Sequence, residues 1–194
     1  MCRAPRYSFT LLALAGCLLW ISSAVAQISG AMPKIEGESL AGQTVQLPDA
    51  AAGKVAVLIF GFSKASKGST SAWGKKISAD FSNQTAFVLY QLPVLEDVPR
   101  LIRGMVISSI RKDVPDNMRD HFVPVLHGEA QLKTLVSYKD SDDAYIVLLD
   151  RVGKIAAQAH GPFSETNYSQ FREKIASLLN AEGPALELNN SRAQ

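Results

Sequence analysis

The sequence predicts an α/β fold, and three observations carry that expectation. Segments with a strand-like period alternate with segments of helical period along the chain. One run, Val55 to Phe62, is apolar without interruption, as a strand covered on both faces must be. Late in the chain, Asp150-Arg151-Val152-Gly153 separates two strand-like runs in the manner of a hairpin turn, with glycine where a positive φ is needed. At 194 residues, 47% hydrophobic and 20% charged, the chain is long enough and apolar enough for one packed domain, which excludes disordered and collagen-like classes.

Taken in order, residues 27 to 54 hold several Gly and Pro, and Gln43 to Leu47 alternates polar with apolar, which predicts a short strand or hairpin ahead of the core. Val55 to Phe62 is then the central strand. From Ser69, Trp73, Ile77 and Phe81 fall four apart and place one apolar stripe on a helix, which Gly74 weakens by roughly 1 kcal/mol relative to alanine. Thr85 to Leu92 returns to strand. A second helix follows, with Glu96 and Asp97 at its start, Pro99 in its first turn, and Val98, Leu101, Ile102, Met105, Val106 and Ile110 as its apolar face. Met105, Trp73 and Phe81 are read as core. Val123 to Leu126 reads as a short strand or extended link, Glu129 to Val136 as a short helix, and Asp140 to Asp143 as a polar loop. Ala144 to Leu149 and Lys154 to Ala159 are the strands of the late hairpin. Ser164 caps a last helix with the stripe Tyr168, Phe171, Ile175, Leu178 and Leu179. Residues 183 to 194 form a polar tail, expected to be mobile.

The first 26 residues stand apart. Arg3 and Arg6 precede an apolar stretch from Phe9 to Ile21, and Ala24-Val25-Ala26 supplies small residues for cleavage, so residues 1–26 read as a secretory signal cut between Ala26 and Gln27. Two alternatives stand beside cleavage: an uncleaved membrane anchor, and a lipoprotein box at Leu14-Ala15-Gly16-Cys17 that would place a lipid on Cys17. Cleavage after Ala26 leaves 168 residues and removes both cysteines, Cys2 and Cys17. Such a chain has no thiol for a disulfide, a nucleophile or a cysteine metal site. Taking the segment's two arginines from the chain's 20 basic residues leaves 18 against 18 acidic ones, which argues against nucleic acid as a partner.

The order strand, helix, strand, helix, insertion, hairpin, closing helix resembles the thioredoxin-like superfamily over about residues 33 to 180. The likeness rests on Gly53-Lys54 leading into Val55 to Ser63, on the hairpin around Asp150 and Gly153, and on the terminal helix. It implies an α/β three-layer sandwich with a mixed central sheet. Oxidoreductases of that superfamily carry a Cys-x-x-Cys pair after the first core strand; an ungapped alignment puts Ala65 and Gly68 at those positions. Their proline before the hairpin falls near Asp142-Asp143, with no proline between Pro124 and Pro162. Thiol-disulfide exchange, thiol peroxidase activity and copper transfer by paired cysteines are therefore not implied. The chain also resembles the mitochondrial ATP synthase assembly-factor family of the Atp-ten type, through Phe60-Gly61-Phe62-Ser63-Lys64 with Trp73, and through Tyr145 to Asp150, Gly153-Lys154-Ile155 and Gly161. Ala156-Ala157 departs from that family's pattern. A chaperone or assembly role is what the resemblance implies.

Other constellations are weaker. His121, His127 and His160 lack the spacing of a zinc motif, so no metal or cofactor is expected. Ser63 or Ser66 as a hydrolase nucleophile lacks a Gly-x-Ser-x-Gly elbow. Gly61, Gly68, Lys64 and Lys67 match a phosphate loop only loosely. Two hypotheses remain: an exported, non-catalytic binding, chaperone or assembly module for a protein or extended peptide, and an exported enzyme or carrier for a small anionic ligand. The first uses the loop Ser63 to Ser69 together with Asp142 and Asp143, segments that the thioredoxin-like resemblance implies meet at one end of the sheet. The second uses the helix terminus at Lys64 and Lys67. The candidate face is Ser63, Lys64, Lys67, Asp142 and Asp143. Membrane contact is expected only through the N-terminal segment or a lipid on Cys17.

Overall fold

The computed structural model describes residues 31–181. The signal segment, the cleavage site, Cys2, Cys17 and the tail from 183 lie outside the described residues. A short hairpin comes first: β1 (Ile35–Glu38) pairs antiparallel with β2 (Thr44–Leu47). The core elements follow as β3 (Val55–Gly61), α1 (Lys67–Phe81) and β4 (Phe87–Pro93). An insertion holds α2 (Arg100–Asp113), a 3-10 segment at Asp116–His121 and α3 (Glu129–Leu135). The chain then closes with β5 (Ala144–Leu149), β6 (Ile155–Gly161) and α4 (Glu165–Asn180).

The central sheet has the order β4-β3-β5-β6, with β3 parallel to β4 and antiparallel to β5, and β5 antiparallel to β6. It is the mixed sheet that the order of elements predicts. Alternate residues of β3 face two separate cores, which is why its sequence is apolar throughout. Val55, Val57 and Ile59 meet Trp73, Ile77 and Phe81 of α1 and Tyr168, Phe171 and Ile175 of α4. Ala56, Leu58 and Phe60 meet Ile35, Val45 and Leu47 of the hairpin and Leu132 of α3. Helices on one side, and hairpin plus short helix on the other, make the three layers.

Several local expectations hold. Ser164 Oγ accepts the Asn167 N–H at 3.2 Å and caps α4, and Gly153 takes φ +79° in the hairpin turn. The stretch 122–125 runs as an extended link along β4, through isolated parallel bridges Gln91↔Phe122 and Val94↔Val125. The hairpin leans on this link. A Cβ on Gly37 would lie 2.7 Å from Val123 Cγ1, so glycine is what permits the approach.

Other expectations need correction. Helix α1 starts at Lys67, two residues before Ser69. Pro99 is the residue ahead of α2, with extended geometry (ψ 134°), rather than part of its first turn. Glu96 does not sit on α2 either: its Oε2 accepts the Glu129 N–H at 2.6 Å and so joins the insertion to α3. The largest correction concerns the stripe of α2. No residue of the helix is buried, and Leu101, Ile102 and Met105 are exposed. Met105 is not core. Val106, Ile107 and Ile110, with Arg103, turn partly inward, and the rest of α2 is exposed. No helix among the described residues is long and apolar enough to cross a membrane.

Candidate functional site

The site is built where β3 ends and the chain turns into α1. Strand β3 brings Gly61 against the helix start; a Cβ there would meet Ser66 Oγ at 2.7 Å and Thr70 Cγ2 at 3.1 Å. Without a side chain at 61, the turn folds tightly beneath the first helical residues. Ser63 then organises it. Its Oγ accepts the N–H groups of Ala65 (3.0 Å) and Ser66 (3.3 Å) and donates to the Ser141 carbonyl at 2.8 Å. That single hydroxyl uses its one donor and two acceptor positions, and it joins this loop to the one before β5. Ser66, buried, returns its Oγ–H to the Ser63 carbonyl at 2.9 Å. Ser69 makes a second link, donating to the Asp142 carbonyl at 3.0 Å.

Tyr145 fixes the partner loop from below. Its hydroxyl accepts from the N–H groups of Lys139 (2.8 Å) and Asp140 (2.9 Å) and donates to the Asp140 carbonyl (3.0 Å). Asp140 Oδ1 in turn accepts the Asp142 N–H at 2.9 Å. Phe62, Tyr138, Tyr145 and His160 form one ring cluster under this end, with Phe62 to Tyr138 at 5.2 Å edge-on and Tyr145 to His160 stacked at 5.9 Å. Lys133 lies over the rings of Tyr138 and Phe62, and its ammonium is held protonated above the usual lysine range chiefly by the hydrogen bond to Glu129 at 2.6 Å.

The predicted residues divide three ways. Ser63 is at the centre of the bridge, and Asp142 contributes its backbone carbonyl. Asp143 turns aside to His160 Nδ1 at 3.4 Å. Lys64 stands exposed at the tip, whereas Lys67 pairs with Asp113 at the end of α2, 2.7 Å away. Ser69 closes the loop read as the binding face, whereas Ser141 and Tyr145 were missed as site residues. Ser66 and Ser69 stand at the start of α1, each one residue beyond Ala65 and Gly68, the positions that the ungapped alignment gives a two-thiol motif. Hydroxyls stand where a helix terminus would otherwise activate thiols. The amides of Ala65 and Ser66 are taken by Ser63, and that of Lys67 by the Lys64 carbonyl at 3.3 Å, so the loop offers few donors to an anion.

Histidines do not gather. His121 lies edge-on to Tyr90 at 5.1 Å, His127 is exposed, and His160 pairs with Asp143. Among the described residues no three His, Cys, Asp or Glu side chains converge on one point.

Comparison with solved structures gives the fold. The chain is similar to BsSco, a member of the Sco family of cytochrome c oxidase assembly proteins, at 11% identity over 80% of this chain and 97% of that one, with a TM-score of 0.56. It is similar to the exposed lipoprotein thioredoxin Etrx1 of Streptococcus pneumoniae, at 15% identity over 73% and 99%, TM-score 0.53. The thioredoxin domain of a thiol-disulfide oxidoreductase from Bacteroides vulgatus matches at 19% identity over 78% and 99%, TM-score 0.51. At such identities the likeness is one of fold, and the fold is thioredoxin-like. No protein-family model and no curated protein matches the sequence.

Proposed function

We propose that this chain is an exported, non-redox protein of thioredoxin-like fold that holds an extended polypeptide at the Ser63–Ser69 and Asp142–Asp143 end, as a binding, chaperone or assembly module. The observation that carries this reading is the pair of hydroxyls, Ser66 and Ser69, at the helix start. A hydroxyl cannot form a mixed disulfide, and the cysteines of the chain, Cys2 and Cys17, both precede Gln27. Serines bridge the loops there as a rigid frame, with Lys64 exposed at its tip. Export with cleavage after Ala26 is supported by the charged start, apolar centre and Ala-x-Ala ending; lipidation of Cys17 is its alternative. The resemblance to the Atp-ten-type assembly factors favours assembly over other binding roles.

The test is titration of the purified full chain with extended peptides and, separately, with inorganic phosphate. Peptides should saturate it, and the double variant Lys64→Glu/Lys67→Glu should weaken that binding at least about five-fold, roughly 1 kcal/mol, with thermal unfolding nearly unchanged. Phosphate binding without peptide binding would transfer the site to the anion-carrier hypothesis. Reduction of insulin disulfides above a blank by the mature chain beginning at Gln27, which has no cysteine, would sink the non-redox reading.

A further inference from the structure

Helix α2 carries a surface that the fold does not use. Leu101 is 99% exposed, Met105 73% and Ile102 46%. Leu101, Met105, Ser108 and Lys112 follow one another at steps of four, three and four, so they form one outward row, with Ile102 beside it. Charge on the helix is one-sided. Arg100, Arg103, Arg111 and Lys112 are basic, and the single acid, Asp113, is already held by Lys67 at 2.7 Å. Arg103 and Arg111 donate only to carbonyls, of Glu96 and Val98 and of Leu40, which leaves their charge in place. Among the described residues, Arg100 and Lys112 have no ion-pair partner.

We propose that α2 is an interfacial helix that lies on an anionic lipid surface, with Leu101, Ile102 and Met105 entering the headgroup layer and Arg100 and Lys112 meeting phosphates. An exposed apolar cluster at the first turns of a helix, Leu101, Ile102 and Met105, with basic residues at both ends is suited to the membrane interface, where Lys112 at the end of the same row reaches the headgroups. Charge complementarity favours anionic lipid over a zwitterionic one. Fourteen residues make about 21 Å of helix, short of the ~30 Å hydrocarbon core, so α2 lies on the bilayer and does not cross it. The apolar stretch Phe9 to Ile21 takes the chain to a membrane as a signal or as an anchor, which gives α2 a bilayer to meet. This contact is additional to the N-terminal segment and to any lipid on Cys17.

Hydrogen exchange read peptide by peptide on the full chain separates the two contacts. With vesicles of phosphatidylglycerol, amides 100–113 should exchange about ten-fold slower than with vesicles of phosphatidylcholine, to which the N-terminal stretch also partitions. Leu101→Glu/Met105→Glu should abolish that protection, and Arg100→Gln/Lys112→Gln should reduce it and make it insensitive to salt. Both pairs of positions are solvent-exposed, so circular dichroism and thermal unfolding should match the wild type. Equal exchange of α2 on both vesicle types overturns the proposal. So does a photo-crosslink from position 105 to a protein in the envelope fraction when anionic vesicles give no protection, since the occupant is then a protein.

Discussion

Helices α1 and α2 are nearly equal in length, 15 and 14 residues, and both carry large apolar side chains at three- and four-residue steps. Their surroundings differ completely. Trp73 and Ile77 of α1 are fully buried between the sheet and α4, Trp73 meeting Phe163, Tyr168 and Phe171 edge-on at 5.6 to 6.1 Å and donating its indole N–H to the Gly161 carbonyl at 3.1 Å. Helix α2 has no fully buried residue, and polar ties hold it: Arg103 to the Glu96 and Val98 carbonyls, Arg111 to the Leu40 carbonyl, Arg119 to the Arg111 carbonyl, and Asp113 to Lys67. Periodicity thus tells which face of a helix is apolar, but not whether the fold supplies a cover.

The sharpest contrast lies between one side chain from each helix. Trp73→Ala removes the largest side chain of the α1–α4 core and opens a cavity among the rings of Phe163, Tyr168 and Phe171, so it should cost about 3–5 kcal/mol in urea unfolding. Leu101→Ala, a change of comparable chemistry on α2, should stay within about 0.5 kcal/mol. Comparable losses for the two would mean that α2 is covered in solution, by lipid, a partner or another part of the chain.

Glycines give a smaller contrast. A Cβ on Gly74 would lie 2.8 Å from Gln91 Nε2, the far end of a flexible side chain that must shift to admit it, so the gain in helix propensity is offset and Gly74→Ala should stay within about 0.5 kcal/mol of the wild type. Gly104 of α2 has nothing within 4 Å of that position, and Gly104→Ala should stabilise by about 0.5–1 kcal/mol. Thermal unfolding of the two variants reads the difference.

Between α1 and α4, Tyr168 donates its hydroxyl to Asp80 Oδ2 at 2.6 Å, and Arg172 and Lys76 stand at 3.2 and 3.3 Å from the same carboxylate. The Tyr168 hydrogen bond, more than burial opposes it, holds the Asp80 carboxyl below its ordinary range, and burial followed by Asp80 pushes the Tyr168 phenol up. A carboxylate lowered on folding adds stability that is fully present above its unfolded value and fades as pH falls through the folded one. Tyr168→Phe should therefore cost about 1 kcal/mol at neutral pH and move the acid unfolding midpoint to higher pH. An unmoved acid midpoint would assign the Asp80 shift to the two cations instead.

Much of the architecture was legible because it rests on local chemistry. Val55 to Phe62 announced a doubly covered strand, Gly153 a hairpin turn, and Ser164 a cap, each for reasons contained within a few residues. The meeting of Ser63 with the 141–143 loop followed from the thioredoxin-like resemblance, which brings these two segments to one end of the sheet. What escaped depends on side chains distant in sequence: Ser69 to the Asp142 carbonyl across 73 positions, Lys67 to Asp113 across 46, and the turning of Asp143 toward His160. The start of α1 also escaped: the helix begins at Lys67, two residues before Ser69. No periodicity reports such a shift, because a helix start is set by cap and turn hydrogen bonds.

The smallest expected effect tests the one ion pair that joins the two helices. Lys67 and Asp113 meet at 2.7 Å with their side chains 69% and 54% exposed, so water screens them and two flexible chains must be ordered to hold the contact. Lys67→Ala should change stability by no more than about 0.5 kcal/mol at physiological salt, and the difference should vanish in 1 M NaCl. A larger or salt-insensitive loss would show that the pair carries the placement of α2, since Asp113 is the last residue of that helix. Hydrogen exchange makes the distinction local. If Lys67 merely decorates the surface, amides of α2 keep their rates in the variant; if it anchors the helix, amides near Asp113 exchange faster while those of α1 around Trp73, held by the buried core, do not change.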